Sequence, residues 1–463
     1  MRWYAKGINV IGDGVRAVVM KRGWMIMGWR GYRRILGGAV FAAFLASIAG
    51  GQAPVVADAL GGTLARDHQS RAMYYEGQHR RTYLTYLRHD FEACVTYYDH
   101  DSGQWAEPVR VDNCIAEVGW CKDLKDGHNA PNLWVSHTGT IHLIYGSHGT
   151  PFKYARSVRP ESIDEWELGA RLSNYATYPF VAELPSGELL MFHRYGPQGG
   201  YKNPFLGVLR SMDDGRTWSE VEKLGAFRQA CKLNGENAVY DPASGRIHLN
   251  LALMPEGSWA SYACQFDPAA SRLYSWDGKT DLGALPGDDL FVEHGRVDGL
   301  TLREIFVNHG TLFFLLQRGD AHSFAVWDGE TLARYDIPGS KMAGFTSGPI
   351  WTRDNTHLFI YGARDTEPAT PFSGKDLYVW TSADGGRTWD DGRRLIDRRT
   401  LGHGIQGVNR VMNYPGHGPF LIVCEATGTY SDDFEVTPQN HYDNPWRKNK
   451  RIYALDEQGR FID

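Results

Sequence analysis

One pattern recurs along the chain after residue 60. Two short runs rich in apolar and aromatic residues are joined by a turn, which is a β-hairpin signal. About seven such units follow at a spacing of roughly 50 to 60 residues, without a long amphipathic helix between them. This periodicity predicts an all-β fold, a single seven-bladed β-propeller over residues 60–463. The alternative is a pair of β-sandwich domains. The propeller is favoured because no Pro- or Ser-rich linker divides the chain. The units are YLTYLRHDFEACVTYYD, NLWVSHTGTIHLIYGSH, ELLMFHRYG with FLGVLRS, RIHLNLALM with SYACQFD, TLFFLLQRGDAHSFAVWD, HLFIYGARD with DLYVWTS, and PFLIVCEATG with RIYALDE.

Two octapeptides share the pattern S-x-D-x-G-x-T-W. They are SMDDGRTW at 211–218 and SADGGRTW at 382–389. The Asp and Gly suit a tight turn, the hydroxyls can bond backbone amides, and the Trp can pack beneath. The pattern resembles the Asp-box, or BNR repeat, of sialidase-like propellers. We therefore interpret Asp213 and Asp384 as structural residues without a part in the chemistry.

The first 59 residues have the composition of an export segment. A basic stretch ends at Arg33-Arg34, an apolar run ILGGAVFAAFLASIAGG follows, and small residues end at Ala57-Asp58-Ala59. We predict a signal peptide over residues 1–59 and a secreted or periplasmic protein; the alternative is an uncleaved membrane anchor. The apolar run is shorter than the ~20 residues of a spanning helix, which favours cleavage and no stable membrane insertion afterwards.

Cysteine spacing and net charge restrict the remaining function classes. The six cysteines all follow the predicted export segment, so disulfides are permitted, although their pairing cannot be determined from sequence. None has the CxxC spacing of a zinc site. The net charge of -5 provides no basic field for nucleic acid. The cysteines are Cys94, Cys114, Cys121, Cys231, Cys264 and Cys424.

Two histidines bracket one predicted hairpin, DGHNAPNLWVSHTGTIHLIYGSHG. The turn is expected around Thr138-Gly139, midway between His128 and His148. Because residues equidistant from a hairpin turn face each other, both imidazoles should lie at the same open end. A pair of histidines can act as base and acid near neutral pH. His137 in the turn and His142 within the strand are interpreted as structural.

A second candidate group follows the strand ELLMF. His193, Arg194 and Tyr195 come where this strand meets the Gly/Pro-rich segment GPQGGYKNP, and Arg210 closes the next strand. Long loops between strands frequently line ligand grooves. An arginine here could hold a uronate carboxylate bidentately, whereas the plainer interpretation is an ordinary surface cation.

Further polar residues in Gly-rich stretches could line a central groove. Our additional substrate-binding candidates are Asn129 beside His128, Tyr178 in ATYPF and His403 in GHGIQGVNR; Tyr178 and His403 are each more readily explained as structural. Others, each more readily explained as structural, are Asn237, Thr346, Ser347, Gln406 and Arg410.

The order of these segments resembles the BNR-repeat propeller polysaccharide lyases, which include ulvan lyases and rhamnosyl-glucuronate lyases. The resemblance is carried by DGHNAP, SHGTPFKYARS, TYPFVAELPSGELLMFHRYG and LRS, and it is most specific over about residues 120–220. It implies a seven-bladed propeller that cleaves at uronic acid by β-elimination. His128 and His148 match the two histidine motifs of that family, and Arg210 matches its arginine after the long loop.

One position departs from the family pattern. The family has a tyrosine in Y-R-x-G where this chain has His193-Arg194-Tyr195-Gly196. Aligned through Arg194 and Gly196, the tyrosine position is His193. Either His193 replaces the phenol or Tyr195 moves in to do so, which leaves the partner of the histidine pair undecided and would allow three imidazoles at the site.

The resemblance implies an enzyme that needs no redox cofactor and acts on a uronate-containing polysaccharide, with rhamnose as a candidate neighbour. Arginine would neutralise the carboxylate, and histidine or tyrosine would serve as base and acid. A structural Ca²⁺ is compatible with such a fold, and a monomer is expected. The alternatives are a propeller glycoside hydrolase of the sialidase or rhamnosidase type, and a non-catalytic carbohydrate-binding propeller.

Overall fold

The computed structural model describes fifteen segments of the chain, all within its second compact unit, residues 53–463. None of the described helices is long and apolar enough to cross a membrane. The described residues are 54–59, 71–115, 127–146, 148–196, 204–228, 231–233, 238–254, 260–308, 311–319, 321–340, 346–351, 356–364, 376–397, 405–426 and 449–463.

These residues form short strands almost throughout, as the aromatic and β-branched runs predict. The first half comprises β1 (Ala57–Ala59), β2 (Ala72–Glu76), β3 (Arg80–Leu87), β4 (Glu92–Asp99), β5 (Gln104–Trp105), β6 (Val109–Asn113), a 3-10 helix (Gly127–Asn129), β7 (Asn132–Val135), β8 (Ile141–Tyr145), β9 (Thr150–Ser157), β10 (Trp166–Glu183), β11 (Leu189–Tyr195), β12 (Phe205–Ser211), β13 (Glu222–Ala226), β14 (Cys231–Leu233) and β15 (Val239–Asp241).

The second half contains one described α-helix among its strands. It comprises β16 (Arg246–Leu253), β17 (Ala260–Asp267), β18 (Arg272–Ser275), β19 (Asp281–Gly283), helix α1 (Asp288–His294), β20 (Thr301–Asn308), β21 (Thr311–Arg318), β22 (Ala321–Trp327), β23 (Leu332–Asp336), β24 (Thr346–Trp351), β25 (Leu358–Arg364), β26 (Asp376–Ser382), β27 (Arg393–Ile396), β28 (Ile405–Met412), β29 (Leu421–Ala426), β30 (Lys450–Leu455) and β31 (Phe461–Ile462).

Each hairpin predicted from the sequence is present as an antiparallel strand pair. The pairs are β3 with β4, β7 with β8, β11 with β12, β16 with β17, β21 with β22, β25 with β26, and β29 with β30. Most of these strands are buried along nearly their whole length, and the turns that join them fix the register of each pair. The prediction of a nearly all-β chain is therefore confirmed.

The described strands assemble into five hydrogen-bonded sheets. Their orders are β1-β30-β29-β28-β2-β3-β4-β5 with β31 on β30 and β6 on β4; β13 through β7; β14-β16-β17-β18-β19 with β15 on β16; β20 through β23; and β24 through β27. Strand β1, near the start of the described chain, pairs with β30 near its end, and β2 runs parallel to β28. Early and late segments thus share one sheet.

The core lies between neighbouring groups of strands. Phe192 of β11 packs edge to face on Phe266 of β17, with ring centroids 5.4 Å apart. Phe291 of α1 is fully buried in the same cluster. Burial of each such ring stabilises the fold by about 2 to 3 kcal/mol, so contacts between the sheets hold the strands that carry the site.

The two S-x-D-x-G-x-T-W segments form similar hydrogen-bonded turns. The Ser211 hydroxyl donates to Asp213, which accepts from the Thr217 amide and hydroxyl. In the second segment the side chain and backbone N–H of Thr388 hold the pKa of Asp384 at about 2. Both carboxylates are thus used within their own turns, in agreement with a structural role.

The five described cysteines are buried and none forms a disulfide. Burial raises the pKa of each thiol, to about 12 for Cys231, Cys264 and Cys424. Thiols held protonated in this way are poor nucleophiles, so these cysteines act as small apolar core residues. Cys121 lies outside the described residues.

Candidate functional site

The hairpin of β7 and β8 brings the two predicted histidines together. Asn132 pairs with Ile144, and the turn closes at Gly139 with a φ of 82°. The 3-10 helix Gly127–Asn129 places His128 before β7, while His148 follows β8. Their rings stack with centroids 4.0 Å apart and planes 22° apart. Hairpin symmetry therefore produces the imidazole pair that it predicts.

The two ends of this hairpin differ in character. At the turn, the hydroxyls of Thr138 and Thr140 donate to Asp214. His142 is buried and contacts Tyr154 and Asp214, while the His137 amide donates to Glu183. Both of these histidines lie in the structural environments predicted for them, away from the open end.

Tyr178 completes the group at the open end. Its ring centroid is 5.8 Å from that of His128 and 6.3 Å from that of His148, and the side chain is buried. It lies where β10 shifts register against β11, between Thr177 and Phe180, with a φ of 57°. A left-handed backbone at a bulky residue costs about 1 to 3 kcal/mol and is typical of functional sites.

Neighbouring hydrogen bonds fix this bulge. The Gly149 amide donates to the carbonyl of Ala176 and the hydroxyl of Thr177. The Asn132 side chain donates to the carbonyl of Pro179. Segments adjoining both histidines thus hold the backbone on either side of Tyr178, so the ring is positioned by the same hairpin that positions the imidazoles.

Arg194 contributes the positive charge of this group. Its backbone pairs with Thr177, and its guanidinium carbon lies 4.8 Å from the centroid of the Tyr178 ring. The side chain is buried. An arginine held against an aromatic face in a low-dielectric environment is well suited to a carboxylate. The substrate-binding role predicted for Arg194 is consistent with this position.

His193 is not a third member of the imidazole pair. It is fully buried between Phe152, Ser173 and Gly207, and its Nε2 lies 3.1 Å from the Ser173 hydroxyl. Burial lowers the pKa of His193 to about 4, so the ring is neutral at physiological pH. Successive residues of a strand point to opposite faces, which separates His193 from Arg194. The expected three-imidazole site is therefore wrong in this structure.

Tyr195 also faces away from the histidine pair. Its ring stacks on Phe205 at 4.3 Å and contacts Tyr175 and His193 at its edges. Burial, followed by the nearby Tyr175, raises the pKa of Tyr195. The geometry therefore does not support the predicted acid or base role of Tyr195.

Arg210 lies at the opposite end of the strand pair. It faces Leu190 at the start of β11, whereas Arg194 lies near the end of that strand. Its guanidinium donates to Glu188, Glu222 and other acceptors. Four residues of strand span about 13 Å, so this placement does not support the predicted role of Arg210 at the substrate carboxylate and leaves Arg194, the other predicted candidate.

The remaining candidates are placed as follows. Asn129 is buried, and its carbonyl accepts a hydrogen bond from the Gly146 amide. This bond joins the two chain segments at the open end of the hairpin. Arg410 is buried 3.8 Å from Glu304, in an ion pair between β28 and β20. His403 and Asn237 lie outside the described residues, as do the side chains of Thr346, Ser347 and Gln406.

The arrangement at the open end can support proton transfer. The stacked pair places two imidazoles in contact, and an imidazole is a residue type that can serve as base or acid in proton transfer. Tyr178 adds a phenol and Arg194 a cation. Within the described residues no cluster of three or more metal-ligating side chains occurs.

Comparisons with known proteins agree with the resemblance seen in the sequence. Residues 81–249 match the BNR repeat-containing family. The ulvan lyase of Alteromonas sp. (strain LOR) is 22% identical over 441 residues, covering 86% of this chain and 79% of that protein. The chain resembles the ulvan lyases. The enzyme class that these relatives support is polysaccharide lyase.

Further relatives match shorter stretches. An ulvan lyase of Pseudoalteromonas sp. (strain PLSV) is 28% identical over 155 residues, 30% of each chain. A solved PL25 ulvan lyase, bound to -[GlcA(1-4)Rha3S]-, superimposes with a TM-score of 0.62 at 16% identity, covering 88% of this chain and 96% of the other. The polysaccharide lyase Uly1 gives a TM-score of 0.52 at 13% identity, covering 84% and 90%. At these identities the structural likeness establishes the fold.

Proposed function

We propose that this chain is a polysaccharide lyase that cleaves beside a uronic acid by β-elimination. The observation that carries the proposal is the stacked pair of His128 and His148, which converges with Tyr178 and Arg194. The names of its relatives favour ulvan or a related glucuronate–rhamnose polymer as the substrate. We assign the four residues as one acid–base and carboxylate-binding group.

In the proposed reaction, the Arg194 guanidinium pairs with the uronate carboxylate and stabilises the enolate-like state. A neutral imidazole of the histidine pair removes the proton from C5. The electron pair of the C5–H bond forms the C4–C5 double bond as the bond from C4 to the bridging oxygen breaks. Tyr178, the proton donor that we propose, transfers its phenolic proton to the leaving oxygen. The products are a 4,5-unsaturated uronate end and a new hydroxyl.

We further infer a seven-bladed propeller with Asp-box turns over the catalytic domain. Seven groups of antiparallel strands support this count: β2 to β5, β7 to the first half of β10, the second half of β10 to β13, β14 to β19, β20 to β23, β24 to β27, and β28 to β30 with β1. An extracellular polymer substrate also fits the proposal that residues 1–59 direct export.

The test is to incubate the purified protein with ulvan, with a rhamnosylated glucuronan and with a rhamnose–glucuronate exopolysaccharide. We expect ultraviolet absorbance from the unsaturated uronate on at least one of them. His128→Ala and Tyr178→Phe should each lower kcat by about 10²- to 10⁴-fold, because each removes a proton-transfer group. Tyr175→Phe, a tyrosine nearby in the same strand, is the matched control and should keep the wild-type rate.

The other outcomes discriminate between the alternatives. New reducing ends without ultraviolet absorbance would indicate a glycoside hydrolase. Binding without any product would indicate a carbohydrate-binding propeller. Full activity in both His128→Ala and His148→Ala would reject the histidine pair as the catalytic group.

A further inference from the structure

A groove of 430 Å³ opens beside the candidate site, between β10 on one side and β12–β13 on the other. Its volume lies within the range of small-ligand sites. We call it the side groove and define it by Arg171, Ser173, Asn174, Tyr195, Phe205 and Lys223, which are among the residues that line it. None of these residues takes part in the proposed proton transfer.

One wall of the side groove is a stack of a cation and two aromatic rings. The Lys223 ammonium lies 4.6 Å from the centroid of Phe205, and the Phe205 ring stacks on Tyr195 with centroids 4.3 Å apart. Lys223 is exposed to solvent. Aromatic edges beside a solvated ammonium suit a sugar ring that carries an anionic group.

The facing wall adds polar groups. Arg171 and Asn174 are exposed, and Ser173 has a φ of 59° that turns the chain at the crossover within β10. Glu220 also lines the groove, so the charged side chains are two cations and one carboxylate. Two cationic side chains against one carboxylate in the lining favour an anion over a neutral ligand.

The side groove adjoins the candidate site along the backbone. Tyr195 directly follows Arg194 in β11, and its backbone pairs with Ala176, two residues before Tyr178. The Gly196 amide donates to the carbonyl of Tyr175, closing this end of the strand pair. Residues adjacent in a strand point to opposite faces. Arg194 thus faces the histidine pair while Tyr195 faces the groove.

We propose that the side groove is an accessory subsite for a further anionic sugar of the same polysaccharide chain, bound by Lys223 beside the Tyr195–Phe205 stack. The anionic group is a carboxylate or a sulfate ester. This inference rests on the proposed function for its substrate class. It assigns Tyr195 to binding rather than to proton transfer.

The test measures affinity directly in a His128→Ala background, which prevents turnover. The ligands are ulvan, chemically desulfated ulvan and a carboxyl-reduced form, which distinguish sulfate from carboxylate recognition. We expect Lys223→Gln to weaken binding by about five- to tenfold at low salt, and less at high salt. The loss should grow with chain length, because only chains that extend beyond the histidine pair reach the groove.

Lys279→Gln is the matched control, because its ammonium also lies over a ring, that of Trp327 at 4.8 Å, outside the side groove. Equal affinity of Lys223→Gln and Lys279→Gln for every ligand would overturn the subsite, as would no binding by the parent protein. Phe205→Leu provides a second variant that removes the ring under Lys223.

If Lys223→Gln weakens binding but the wild type forms no unsaturated product, the subsite stands and the lyase proposal fails. If the wild type forms unsaturated product but Lys223→Gln binds with unchanged affinity, the lyase proposal stands and the subsite fails.

Discussion

At the scale of single residues, the contacts of each histidine, and not burial alone, separate His193 from the stacked pair of His128 and His148. The resemblance in the sequence aligns His193 with a tyrosine of the family pattern, yet His193 is fully buried and makes contacts typical of a core residue. His128 is only partly buried and belongs to the stacked pair. A histidine that water does not reach acts on the protein through stability, so its effect should appear in the pH dependence of unfolding.

We expect His193→Gln to make the protein less sensitive to acid. Burial lowers the pKa of His193 to about 4, whereas an unfolded histidine titrates near 6.5. As the pH falls between these values, the unfolded chain takes up the proton first, so the free energy of unfolding decreases. From pH 7 to pH 5 the wild type should lose about 2 kcal/mol more than the variant.

Urea denaturation at the two pH values measures this difference. Glutamine retains a hydrogen-bonding group for Ser173, so the variant should fold at neutral pH. An identical loss of stability in wild type and variant would contradict the buried, neutral state of His193. A kcat reduced by orders of magnitude in a stably folded variant would return His193 to the catalytic group.

The sequence was informative about this site to different degrees for different residues. His128 and His148 could be paired because hairpin symmetry depends only on counting residues from the turn. Alternation along ELLMFHRYG could also have separated His193 from Arg194, although the family pattern favoured His193. The position of Tyr178 depends on a bulge in β10. The sequence signals this bulge only through the following Pro179, because proline is confined to edges and bulges of sheets. Only the strand register, which the sequence does not provide, excludes Arg210 from the site.

At the scale of secondary-structure elements, β10 and β1 depart most from a simple hairpin repeat. The first part of β10 pairs with β9 and the second part with β11, so one strand joins two groups of strands. The register shifts needed for this crossover place Ser173 and Tyr178 in left-handed conformations. Hairpin periodicity predicted the paired strands well, but it contains no information about a strand shared between two groups.

Strand β1 overlaps the predicted end of the export segment. Ala57, Asp58 and Ala59 pair with β30, the Val56 amide donates to Ile452, and Ala59 is buried. A cleavage after Ala59 would remove this strand. We therefore expect a chain that begins at Leu60 to be less stable than one that begins at Pro54, by about 2 to 3 kcal/mol for the lost backbone hydrogen bonds.

Differential scanning calorimetry of the two truncated chains tests this expectation. The chain that begins at Leu60 should show a lower Tm and faster proteolysis near β30, whose edge would be exposed to solvent. Equal Tm values and equal resistance to protease would show that β1 contributes nothing to stability. The predicted boundary at residue 59 would then fit the structure without adjustment.

At the scale of the whole molecule, the proposed reaction is an elimination that consumes no water, carried out on a nearly all-β fold with propeller-like structural neighbours. The chain shares its fold with ulvan lyases at low sequence identity. One fold can support many different chemistries. The proposed reaction therefore depends on the histidine pair, Tyr178 and Arg194 and not on the fold alone. These residues hold no arrangement of paired carboxylates, the usual requirement for hydrolysis of a glycosidic bond.

The most direct test is to follow the oxygen of water during cleavage. Incubation of a glucuronate–rhamnose oligosaccharide in water enriched in heavy oxygen, followed by mass spectrometry, separates elimination from hydrolysis. We predict products whose masses sum to that of the substrate, with an unsaturated uronate end and no heavy oxygen incorporated by the cleavage step. Products that together exceed the substrate by one water, with heavy oxygen at the new reducing end, would contradict β-elimination by this site.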